Sequence, residues 1–130
     1  MRQLLAILLV SASAALAHHA FAAEFDGNKP IKIEGTLTKV AWSNPHGWIY
    51  VEAAGLDGKA VNWSIEFGSP NALLRRGLRK ADFPAGIKVT VNGFLAKDGS
   101  HTVNASDVTL PDGRNLYTGS SNPNAKGADK

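Results

Sequence analysis

The 130-residue sequence predicts a mostly β fold, a small five-stranded barrel resembling the OB-fold with one short helix between its third and fourth strands. Three observations predict it. Apolar residues alternate with polar ones in five separate runs, as half-buried strands require. Asp-Gly turns punctuate those runs, and a single capped segment interrupts them after the third. The length suits one domain with one modest core.

The first strand is read from Ile31. Ile31, Ile33, Gly35 and Leu37 share one face, and the apolar parity then switches to Val40 and Trp42. A parity switch within a long strand marks a bulge or bend, and Gly35 is a residue at which the chain could curve. "SNPHG", Ser43 to Gly47, breaks the run, and "WIYVEA" follows as the second strand. Leu56-Asp57-Gly58-Lys59 is a hairpin signal, because Asp-Gly supplies the positive φ of a tight turn. In the third strand Val61, Trp63, Ile65 and Phe67 alternate with Asn62, Ser64 and Glu66.

In "SPNALLRRGL", Ser69 fits an N-cap, Pro70 the first helical position and Gly77 a left-handed stop. Leu73, Leu74 and Leu78 are expected to cover one end of the sheet. A fourth strand runs from Ile87 to Ala96, "KDGS" turns the chain, and a fifth spans roughly 102 to 110. "LPDGRNLY" adds a turn and a short edge piece. The domain is thus expected over residues 31–118, preceded by an arm at 18–30 outside any regular element. A polar, disordered tail is expected over 119–130.

The first residues predict export. Arg2, an apolar run from Leu4 to Val10 and the small residues ending Ala15-Leu16-Ala17 make a secretory signal peptide over 1–17, cut after Ala17, and so a periplasmic location. The apolar run is too short for a permanent membrane span, and no stable membrane insertion is expected. The chain has no cysteine, which removes disulfides, thiolate metal sites and thiol nucleophiles. From His18 onward 13 Lys and Arg face 11 Asp and Glu, a balance that argues against nucleic acid as a partner. The local excess Arg75, Arg76, Arg79 and Lys80 reads as a solvated face.

All four histidines fall outside the predicted strands: His18 and His19 at the junction, His46 between strands one and two, and His101 between strands four and five. In an OB-fold those two loops flank the binding face, and an extended arm of a dozen residues can reach the same rim. Cleavage after Ala17 would give His18 a free amine beside its imidazole. With His46, and with His19 or His101 as a further donor, this makes a nitrogen set suited to copper, similar in its elements to the histidine brace. Zinc is the second metal, with three His or with Glu24 or Asp26 completing the set.

The alternative is a metal-independent module for a sugar, envelope component or protein partner. Trp42, Asn44 and Trp48 around "SNPHG" would then form the ligand-binding surface, while Trp63 belongs to the core. No hydrolase elbow, zincin, phosphate-loop or cysteine-nucleophile motif is present, so an enzyme has no sequence support.

"HHAFAAEFD" behind a signal, "VAWSNPHGWIYVE", "SPNALLRRG" and "GIKVTVNGFLAKDGS…VTLPDGRNL" occur in that order. With these segments the sequence resembles a family of small exported bacterial proteins known only as a domain of unknown function. The resemblance implies a periplasmic protein and assigns no activity to any residue.

Overall fold

A computed structural model describes residues 21–120 and Asn122. The signal-like segment, His18, His19 and most of the tail lie outside the described residues. The chain is mostly β. Its strands are β1 (Phe25–Trp42), β2 (Gly47–Ala54), β3 (Ala60–Glu66), β4 (Lys88–Ala96), β5 (Thr102–Thr109) and β6 (Asn115–Tyr117), with a helix α1 (Pro70–Arg75) and a single 3-10 turn at Lys80–Asp82. They form one six-stranded sheet in the order β3-β2-β1-β4-β5-β6, every neighbouring pair antiparallel. One further pairing joins β3 to β5 in parallel, Ser64 to Glu66 against Thr102 to Asn104.

β1 is long enough to serve two partners. Its first part, as far as Thr36, pairs with β4, and its second part, from Thr36 to Trp42, pairs with β2. The hand-over coincides with the parity switch read in the sequence, because the register slips between Leu37 and Lys39. One extra residue restores the inward direction of the apolar side chains beyond it. That residue, Thr38, donates its hydroxyl to the Tyr50 carbonyl at 3.1 Å. Just before it, a Cβ on Gly35 would stand 2.2 Å from the Glu52 carbonyl oxygen and 2.7 Å from the Ala53 Cβ, so only glycine lets β1 and the end of β2 approach here.

The predicted turn chemistry holds. Gly58 adopts φ +82° in the β2–β3 hairpin, closed by the Gly55 amide on the Lys59 carbonyl at 2.7 Å. Ser69 accepts from the Ala72 amide at 3.3 Å with Pro70 in the first turn, and Gly77 ends the segment at φ +85°. The core is built from alternating residues of all the long strands, among them Leu37, Ile49, Val51, Trp63, Ile65 and Val91, each at most 1% exposed.

Four expectations are corrected. The sheet has six strands rather than five, because the short edge piece expected in "LPDGRNLY" is a strand of the sheet: the Pro111–Gly113 turn returns the chain so that Asn115–Tyr117 pairs with β5. Residues 18–30 were expected as an arm outside regular structure, but residues 21–24 are helical and β1 begins at Phe25. Pro30 is tolerated because β2 reaches only as far as Thr36, leaving one edge of this half-strand unpaired, and because the register is broken between Phe25 and Pro30. Leu74 does not cover the sheet. It is 57% exposed, since adjacent helical residues diverge by about 100° and Leu73 takes the buried position. Finally, Ser120 and Asn122, assigned to the tail, are 7% and 3% exposed.

Candidate functional site

A cleft of about 810 Å³ opens where three parts of the chain meet. One wall comes from Phe21, Ala23, Glu24 and Phe25 and a second from His46 and Trp48. The third is the β4–β5 connection, residues 96–98, Ser100 and Thr102, and Glu66 forms the floor. The β1–β2 and β4–β5 loops that the sequence reading placed beside a ligand therefore do border one cleft. The N-terminal segment lies over it as well.

Packing holds that segment in place. Phe21 stacks on Phe25, with ring centroids 5.8 Å apart, and meets Phe94 edge-on at 5.9 Å. These two aromatic contacts anchor the helical residues 21–24 against β1 and β4. The Lys97 amide donates to the Glu24 carbonyl at 2.8 Å, and the Lys97 ammonium donates to the Ala22 carbonyl. The β4–β5 loop is thereby tied to the N-terminal segment.

Glu66 is the chemically distinctive group. It is the last residue of β3, on the polar side of the cleanest alternating strand, yet its side chain is only 9% exposed. The parallel β3–β5 pairing sets it opposite Asn104, whose side-chain amide donates to Glu66 Oε1 at 3.1 Å. Asn104 Oδ1 in turn accepts from the Ser120 hydroxyl at 2.6 Å, and Ser120 Oγ accepts from the Asn122 amide at 3.1 Å. Glu66 Oε2 turns to the cleft, where His46 Nδ1 stands at 3.8 Å. Burial pushes the Glu66 carboxyl above its ordinary value and the nearby Glu24 adds to this, while His46 and the Asn104 hydrogen bond pull the other way.

The residues singled out from the sequence separate into groups. His46 and Trp48 line the cleft. His101 does not. Its ring meets the edge of the buried Trp63 at 5.1 Å, and its carbonyl accepts from the Ser64 amide at 2.9 Å, so it serves the β3–β5 junction. Trp42 packs beside the core, 6.0 Å from the Phe83 ring, and Asn44 is exposed in the loop, preceding a cis peptide bond to Pro45. Neither lines the cleft. His18 and His19 lie outside the described residues, three and two positions before Phe21. Trp63 is core, 1% exposed, with its indole N–H on the Ala54 carbonyl at 3.1 Å.

Among the described residues no three His, Asp or Glu side chains converge closely enough to hold a metal ion by themselves. What they provide is one imidazole and one buried carboxylate, His46 and Glu66, 3.8 Å apart in the same cleft. Asp107, the other buried acid, is satisfied elsewhere by the side-chain amides of Asn92 and Asn115, both at 2.9 Å. Glu24, Lys97, Asp98 and Asn104 were not read from the sequence as parts of one site with Glu66. Nothing local marks them, because the cleft joins segments some 80 positions apart.

Among the described residues no helix is long and apolar enough to cross a membrane. No curated protein matches the chain. A family model described as a family of unknown function, DUF6152, matches residues 6–105, and the chain belongs to that family.

Proposed function

We propose that this DUF6152 protein is an exported, single-domain binding protein on an OB-like barrel, and that its cleft holds a metal ion, copper first and zinc second, through His46 and His18. The barrel reading rests on the ring of pairings β1-β2-β3-β5-β4 and back to β1, which leaves β6 as an appendage. Export rests on the signal-like first 17 residues.

The observation that carries the metal reading is the place of residues 21–25. Of these, Phe21, Ala23, Glu24 and Phe25 line the same cleft as His46. His18 is three residues before Phe21, within about 10 Å of it on any chain path. A terminal amine and two imidazoles give Cu(II) three nitrogen donors. His19 is the reserve donor. His101, packed on Trp63, is left out of the set.

A second reading has its own support. The cleft volume and its Phe21, Phe25 and Trp48 walls also suit a small organic ligand, such as an envelope sugar, without metal.

Copper titration of protein beginning at His18, beside protein carrying one extra N-terminal residue, tests the first reading. The expected result is at least tenfold weaker binding with the extension, and equal affinity would refute the role of the terminal amine. Binding of both copper and zinc weaker than about 1 µM, or −8 kcal/mol, would transfer the cleft to the organic-ligand reading. Quenching of Trp48 fluorescence by envelope sugars would then be the measurement.

A further inference from the structure

Glu66 has no role in the nitrogen-only set, yet it is the group in the cleft whose environment most calls for a cation. Its side chain is nine-tenths buried, and its Oε1 is fixed by Asn104, itself fixed by Ser120. On the cleft side His46 Nδ1 stands 3.8 Å from Oε2, beyond hydrogen-bond reach, and the nearby Glu24 adds a second carboxylate to the same cleft. Lys97, the one Lys or Arg among the cleft residues, donates to the Ala22 carbonyl instead. A carboxylate withdrawn from water is costly unless it keeps its proton or meets a counter-charge, and a bound cation would supply that charge.

The spacing fits an ion shared by both groups. Nitrogen and oxygen donors about 2.0–2.2 Å from one metal stand roughly 3.0–3.5 Å apart at right-angled to tetrahedral geometry. The observed 3.8 Å is a few tenths of an ångström more, and the His46 side chain, 46% exposed, can close that gap without disturbing the core. The Asn104–Ser120 chain behind Glu66 is the kind of outer support that orients a metal-bound carboxylate. The donor chemistry also selects the ion. The single methionine is Met1 and there is no cysteine, so no soft sulfur donor can reach the cleft once the leader is removed.

We infer that Glu66 is the anionic ligand of the cleft ion, making it a nitrogen–oxygen site for divalent Cu(II) and Zn(II) that discriminates against Cu(I). The inference rests on the metal reading above and adds to it both a ligand and the oxidation state of the cargo.

The test titrates protein beginning at His18 with Cu(II), Zn(II) and, anaerobically, Cu(I), as wild type, Glu66→Gln and Glu66→Asp. Circular dichroism verifies that each is folded. Glu66→Gln keeps the Asn104 hydrogen bond and is expected to weaken Cu(II) and Zn(II) by about 10- to 100-fold. The Cu(II) electron paramagnetic resonance spectrum should shift toward a nitrogen-richer set. Glu66→Asp, which keeps the charge but withdraws it by one methylene, is expected between the two. Wild-type binding with Glu66→Gln within twofold of it, or tighter binding of Cu(I) than of Cu(II), overturns the inference while leaving a metal site. A wild type that binds none of the ions overturns the metal reading and the inference together. If Glu66→Gln does not fold, the wild-type Cu(II)-over-Cu(I) preference and the Glu66→Asp affinities decide the matter.

Discussion

Replacing Asn104 by Leu removes the hinge of the polar chain beneath the cleft while keeping the branched shape and heavy-atom count of the side chain. Asn104 is 2% exposed, donates to Glu66 Oε1 at 3.1 Å and accepts from Ser120 Oγ at 2.6 Å. A buried hydrogen bond to a carboxylate is worth about 1.5–3 kcal/mol, and stranding the Ser120 hydroxyl costs about 1–2 kcal/mol more. The added apolar burial returns about 1 kcal/mol, leaving a loss of about 2–4 kcal/mol. For a domain of this size that is a fall in Tm of about 10–20 °C, measurable by calorimetry at pH 7. The loss should shrink at pH 4, where a protonated Glu66 is cheaper to leave without its partner. Combining Asn104→Leu with Ser120→Ala should be less damaging than the sum of the two, with coupling of at least 0.5 kcal/mol. A loss below 1 kcal/mol at pH 7, or strict additivity, would refute the view that this chain holds the cleft floor in place.

Three further outcomes follow from the structure. Because burial raises the Glu66 carboxyl above its ordinary 4.5, the folded chain retains a proton that the unfolded chain gives up. Glu66 therefore costs stability as pH rises beyond that value. Glu66→Gln should accordingly be more stable than wild type in metal-free urea unfolding at pH 7–8, with the advantage disappearing below about pH 4; an advantage that grows on acidification would contradict the sign. Gly93→Ala places a Cβ 2.3 Å from the Asn104 carbonyl oxygen and 2.6 Å from Val103 Cγ1, where β4 and β5 slip register. It should lose about 3 kcal/mol or more in urea unfolding, whereas Leu74→Ser at an exposed position should stay within about 0.5 kcal/mol.

The strands, turns and helix cap were legible because each is a local pattern. The alternation of Val61, Trp63 and Ile65, the Asp57-Gly58 turn, and Ser69 ahead of Pro70 act over a few residues. Even the β1 bulge could be read, since its parity switch lies in one strand. What escaped the reading depends on distant partners. Glu66 sits at a polar position of its strand, and it is buried only because β5 pairs alongside in parallel and residues 21–25 lie across the cleft. The early half of β1 lacks alternation in "DGNKP", and its membership in the sheet comes from β4, some 60 positions later. His101 looked equivalent to His46 as a loop histidine. The direction of its ring, onto Trp63, is decided by β3.

The β3–β5 pairing also dictates the order in which the molecule can be completed. It joins Ser64–Glu66 to Thr102–Asn104, and the support for Asn104 comes later still, from Ser120. Such distant segments meet only after a large loop has closed, which is slow and entropically costly. A chain emerging from its N-terminus therefore has its first-made wall, residues 21–25, long before the floor that wall must face. Until Thr102–Asn104 has arrived, β3 keeps an open edge and Glu66 remains in water, an ordinary carboxylate. The cleft floor is thus fully supported only in the finished chain, and a truncation between Leu110 and Ser120 should remove that support while sparing most of the apolar core.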